Sequence, residues 1–140
     1  MLKTELLHPE ILAALASAGH GSKVLIADSN YPFTTGSSPE AQIVYLNLAP
    51  GKLNAVEILG VIARSIPIEA AEVMVPDTGA EPAIFTEFRS VLGSGLALTA
   101  RHRFEFYDAA KASDVCLTIA SGEQRIYANI LLTIGVVPPP

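Results

Sequence analysis

Apolar and polar positions along the chain alternate between helical and extended spacing. In HPEILAALASAGHG (8–21), Ile11, Leu12 and Leu15 share one helical face. Pro9 suits the first turn of that helix and Gly19 a left-handed stop. KVLIAD (23–28) reads as a short buried strand, and SNYPFTTGSSPEA (29–41) as a long loop of turn formers. A second strand follows in IVYLNL (43–48). GKLNAVEILGVIARSI (51–66) is helical, with a stripe of Leu53, Val56, Leu59 or Gly60, and Ile62. AEVMVP (71–76) is a third strand, closed by the turn PDTGAEP. The helix AIFTEFRSVL (83–92) turns Ile84, Phe85, Phe88, Val91 and Leu92 inward. LALTARHRF (96–104) is expected as a strand and YDAAKAS (107–113) as a short helix. VCLTIA (115–120) and YANILLTIGVV (127–137) close the chain as strands joined by the turn SGEQR.

Strands separated by helices predict an α/β three-layer sandwich, with a central, largely parallel or mixed sheet and helices on both faces. At 140 residues, with no repeat or linker, residues 1–140 are expected to form a single domain. Half of the residues are hydrophobic and the mean hydropathy is +0.40, rich for a soluble chain of this length. No apolar run reaches the roughly 20 residues of a membrane span, since Glu57 and Arg64 interrupt the longest. The opening MLKTELLHPE carries no secretory signal pattern. A cytoplasmic protein whose apolar surface is covered by its own copies fits best.

The net charge of −5 and a pI near 5.1 argue against a nucleic-acid binder, and ARHRF (100–104) is the lone basic cluster. Cys116 is the only cysteine, set in an apolar strand as an inert buried thiol. No phosphate-binding loop or serine elbow is present, and His8, His20 and His102 lack metal-ligand spacing. His8 beside Pro9 reads as an exposed helix start, and His102 as part of a solvated strand face.

His20 stands apart because Gly19 and Gly21 leave its imidazole unshielded. It could cap the preceding helix, where the dipole favours it, or perform chemistry. Asp28 ends an apolar strand at the carboxyl edge, where open α/β sheets bind ligands; an Asx turn into SNYP would equally use it. Tyr127 and Asn129 are two apart, so an extended backbone puts a phenol and a carboxamide on one face, a pairing suited to neutral hydroxyls.

MLKT at the start, GHG (19–21), LIADSNYP (25–32), RFEFY (103–107) and SGEQRIYANILLTIGV (121–136) together resemble the ribose pyranase/fucose mutarotase family. Their order and spacing agree over nearly the whole chain, while 34–95 agrees mainly in element order. The resemblance implies exchange between ring forms of a free monosaccharide such as L-fucose, without cofactor or metal. It implies His20 as catalytic residue, Asp28, Arg103, Tyr127 and Asn129 as sugar contacts, and Ala128 as a backbone contact. RFEFY is closer to the fucose branch, because the ribose branch carries histidine where Arg103 stands. D-ribose pyranose–furanose exchange is the runner-up, followed by a non-catalytic sugar-binding subunit and a scaffold with a vestigial site. The resemblance further implies a ring-like homo-oligomer, a decamer.

The two central residues pose a geometric problem. Eight extended steps from His20 to Asp28 span up to ~26 Å, more than a monosaccharide bridges. Either GHGS folds back beside the far end of the strand, or a neighbouring subunit supplies part of the site.

Overall fold

The computed structural model describes residues 1–140. In chain order the elements are α1 (Pro9–Ser17), β1 (Lys23–Ala27), β2 (Gln42–Tyr45), α2 (Ala55–Ala63), β3 (Ile68–Val75), α3 (Ile84–Leu92), β4 (Leu98–His102), α4 (Arg103–Ala110), β5 (Val115–Ala120) and β6 (Ile130–Ile134). The six strands form one mixed sheet in the order β2-β5-β1-β6-β3-β4. β6 runs antiparallel to both its neighbours, and every other pairing is parallel. One reversed strand therefore brings the amino end of β6 to the edge where the other five strands end.

Helices cover both faces unequally. Alternate side chains of the central strands, among them Val24, Ile26, Leu117, Ile119, Val73, Ile130 and Leu132, form the main core with Ile11, Leu59, Ile62, Phe85 and Phe88 of α1, α2 and α3. On the other face Leu25, Ala27, Met74 and Leu131 pack beneath Phe106 and Ala110 of α4 and Tyr31 of the long loop. The three-layer α/β sandwich is thus present, with three helices on one side and one short helix on the other.

Several element boundaries differ from the sequence expectation. α1 ends at Ser17, and the left-handed backbone falls on Gly21 (φ +85°), not Gly19. α2 starts only at Ala55, because Asn54 caps it in a reciprocal box with Glu57 (2.9 and 2.8 Å). Leu53 therefore lies outside the helix and half exposed, and Ala55, Ile58, Leu59, Gly60 and Ile62 form the buried stripe. The strand expected over LALTARHRF stops at His102, and the helix expected from Tyr107 begins already at Arg103, where Glu105 reaches back to the His102 backbone N–H (3.4 Å). His8 stands at the start of α1 as expected, but half-buried rather than exposed, and it caps the helix with Nδ1 accepting from the Ile11 N–H.

The crossing of two loops beyond β5 admits only glycine at 122. The Gly122 N–H donates to the Leu53 carbonyl (3.0 Å), and its own carbonyl accepts from the Gly51 N–H (2.7 Å). A Cβ there would penetrate the Lys52 carbonyl oxygen and stand 2.8 Å from that of Ala49. This crossing leads the chain into the segment that carries Tyr127 to Asn129.

Candidate active site

Asp28 is the first residue beyond β1, and its buried carboxylate joins that end to the start of β6. One oxygen accepts from the Asn30 N–H (2.9 Å), so the Asx turn is real. The other accepts from Asn129 Nδ2 (3.0 Å) and from the Ala128 N–H (3.3 Å). The Asp28 N–H in turn donates to Asn129 Oδ1 (2.8 Å). Burial pushes the Asp28 carboxyl above its ordinary value; the three bonds it accepts oppose this, and the charge of Glu123 adds to it.

Tyr127 reaches the same place by a route different from the one expected. β6 begins at Ile130, and Tyr127 lies in a turn with φ +59°, so Tyr127 and Asn129 are not alternate residues of a strand. The left-handed backbone at Tyr127 still directs both residues to one cavity of about 260 Å³, below the ~300–1,000 Å³ of drug-sized pockets. Asp28, Arg103, Tyr127 and Asn129 all line it.

Arg103 enters the cavity as the first residue of α4. Its Nε donates to the Tyr107 hydroxyl (3.3 Å), and its guanidinium lies 5.5 Å from the Tyr107 ring centre. Tyr31, Asn30, Met74 and Ile126 complete the lining and were not singled out from sequence. Tyr107 was also missed, although it follows Arg103 by one helical turn and would have been visible with the helix started at 103. The Tyr31 hydroxyl donates to the Gly36 carbonyl (2.7 Å), which folds the long loop over this face, and burial raises its pKa.

One carboxylate and one guanidinium balance in charge, and the remaining polar groups are neutral. Such a site suits an uncharged ligand with several hydroxyls. Ala128 is fully buried, and its N–H is committed to Asp28.

A second network fixes the segment that leads to Tyr127. The Glu123 carboxylate accepts from the Arg125 Nε and Nη2 (2.9 Å each) and from its backbone N–H (3.0 Å). Arg125 also pairs with Glu87 of α3. Burial alone would raise the Glu123 carboxyl, but the bonds and charge of Arg125, with the Ala55 N–H, hold it below its ordinary value.

His20 is not in this cavity. The Gly21 N–H donates to the Ile134 carbonyl, and the Ile134 N–H to the Ser22 carbonyl (2.9 Å each), so the turn that enters β1 is held against the carboxyl end of β6. His20 therefore sits at the opposite sheet edge from Asp28, its Nε2 2.9 Å from Glu69 Oε2. GHGS does not fold back within the chain. Nor does His20 cap α1, whose C-cap is Ala18.

The architecture is that of the small α/β sugar isomerases. The chain belongs to the RbsD / FucU transport protein family, whose model matches residues 1–137, and within it to the fucose mutarotase branch. It is 32% identical to the fucose mutarotase of Homo sapiens, over 94% of this chain and 90% of that protein. The crystal structure of the fucose mutarotase from Streptococcus pneumoniae, in complex with L-fucose, superposes with a TM-score of 0.81 at 28% identity, covering 98% of this chain and all of the other. The Bacillus subtilis RbsD structure, complexed with D-ribose, shares the fold (TM-score 0.85, 23% identity, 99% and 100% covered). No helix is long and apolar enough to cross a membrane.

Proposed function

We propose that this protein is a mutarotase for L-fucose or a similar 6-deoxy aldose, working in a homo-oligomer in which His20 of one subunit completes the cavity of another. The observation that carries the reading is the convergence of Asp28, Arg103, Tyr127 and Asn129 on one small, charge-balanced cavity. Met74 and Ile126 add an apolar patch to that lining, which suits the methyl group of a 6-deoxy sugar better than the bare ring of ribose. Ring opening takes a proton from the anomeric hydroxyl and gives one to the ring oxygen as the C1–O bond breaks. Rotation about C1–C2 and reclosure yield the other anomer. Protons balance and nothing is oxidised, so a histidine that takes and returns a proton, with well-placed hydroxyl partners, suffices.

Within one chain His20 and the cavity lie at opposite ends of β1, a strand of five residues and so roughly 16 Å long. That separation supports a shared site, and the exposed Met1, Leu2, Leu48, Phe104 and Ile126 leave apolar surface for neighbours to cover. The same separation is what a non-catalytic sugar-binding subunit would display. NMR exchange spectroscopy on equilibrated fucose and ribose, with and without protein, separates the two. Faster anomer exchange for fucose is expected, and sugar binding without faster exchange would overturn the enzyme reading. Mixing His20→Ala and Tyr127→Phe subunits should restore part of the activity. No recovery from re-assembled mixtures would refute the shared site.

A further inference from the structure

The contact between His20 and Glu69 has the marks of a built pair. Both side chains are partly exposed, at 59% and 44%, and a chance surface ion pair between them would mean little. Their backbones, however, are specially arranged. β3 pairs with β6 through Ile68↔Ile134 and Ala70↔Thr133, which leaves Glu69 as the extra residue of a bulge. Bulges re-aim a side chain out of the regular alternation.

Gly135, just past β6, lies against this bulge. A Cβ at 135 would stand 3.3 Å from Glu69 Cβ and 3.6 Å from Oε2, so this end of β6 packs directly against the glutamate. The Gly135 N–H donates to the Pro67 carbonyl (2.9 Å), tying this glycine to the residue before β3. On the histidine side, the left-handed Gly21 turns the chain immediately after His20 and anchors it to Ile134. Backbone bonds at three adjacent strand ends thus set the two side chains 2.9 Å apart across 49 residues of sequence.

We infer that Glu69 is a positioning residue for His20, holding its Nε2–H so that Nδ1 is the ring atom presented to a sugar. This rests on the proposed role of His20 in ring opening. With Nε2 donating to a carboxylate, the neutral imidazole keeps one tautomer and one orientation, and Nδ1 carries the free lone pair. When Nδ1 takes up a proton, the adjacent carboxylate stabilises the imidazolium. Glu69 is remote from the sugar-holding residues of its own subunit and meets the shared site only beside His20, so its effect is read in proton transfer before affinity.

The test compares Glu69→Gln, Glu69→Asp and His20→Ala in the full protein, by fucose anomer exchange over a range of sugar concentrations. Glu69→Gln is expected to lower kcat at least about tenfold, a part of the ~10²–10⁴ that acid–base help supplies, with KM unchanged. Glu69→Asp, shorter but still charged, should keep more activity than the isosteric glutamine. A merely structural role would rank these two variants the other way. If His20→Ala is inactive while Glu69→Gln retains full kcat, or loses only KM, the positioning role is refuted and the histidine's role stands. If His20→Ala is fully active, both fall.

Discussion

Replacing Asn129 by alanine tests how the cavity is held together. The substitution removes two hydrogen bonds, both between largely buried groups. The bond from Nδ2 to the Asp28 carboxylate is charge-assisted, a kind worth about 1.5–3 kcal/mol. Loss of the Oδ1 acceptor strands the Asp28 N–H, and an unsatisfied buried donor costs about 1–3 kcal/mol. Asn129 lines the cavity, so water can enter and recover part of this, leaving an expected loss of ~2–4 kcal/mol. Against a whole-domain stability of about 5–15 kcal/mol that is large. Urea unfolding at pH 7 and fixed protein concentration should then shift its midpoint down by about 1–4 M, taking a slope of 1–2 kcal/mol per M. Asn129→Asp separates shape from charge. It sets two carboxylates against each other, so the folded pair retains a proton that the unfolded chain releases near pH 4. The folded state then binds more protons, and this variant must lose stability as pH rises and regain it toward pH 5. A midpoint unchanged within about 0.3 M for Asn129→Ala, or an Asn129→Asp variant insensitive to pH, would refute the bracket between β1 and β6.

His20→Ala should abolish most anomer exchange yet leave the urea midpoint within the change of ~0.5 kcal/mol usual for exposed sites; exchange at the normal rate would remove His20 from the mechanism. Arg103→His, read on a panel of sugars, should move preference from fucose toward ribose, and unchanged relative rates would deny Arg103 a part in selectivity. Carboxyl NMR should find Asp28 titrating above the ordinary 3.8 because of its burial. The folded chain then holds that proton more tightly than the unfolded one, so the stability from this group is fullest at low pH and is lost as pH rises through the raised value; a midpoint at or below 3.8 contradicts this. Gly122→Ala should yield little folded protein, judged by circular dichroism and soluble expression, since the new methyl group would occupy the Lys52 carbonyl; native unfolding behaviour would show that the loop crossing yields.

Local chemistry carried much of the fold. Runs such as KVLIA and VCLTIA are too short and too β-branched for helices, and the Phe85–Phe88 spacing marks a helical face, so element type and order were legible along the chain. Boundaries failed where a cap competes with hydrophobic pattern: Asn54 with Glu57, and His102 with Glu105, begin helices at points the apolar stripe does not mark. Asp28 and Asn129 were both legible as candidate site residues, but not their bond to each other. That bond depends on β6 running against β1, a pairing between segments 101 residues apart that periodicity does not encode. The separation of His20 from the cavity has the same origin. An extended β1 could be read from its residues, but whether the preceding turn folded back was settled by the backbone bonds of Gly21 and Ser22 to Ile134. Side-chain identity is a property of each position and survives in the linear chain, whereas which strand ends share an edge depends on long-range pairing and on the one strand that runs the other way.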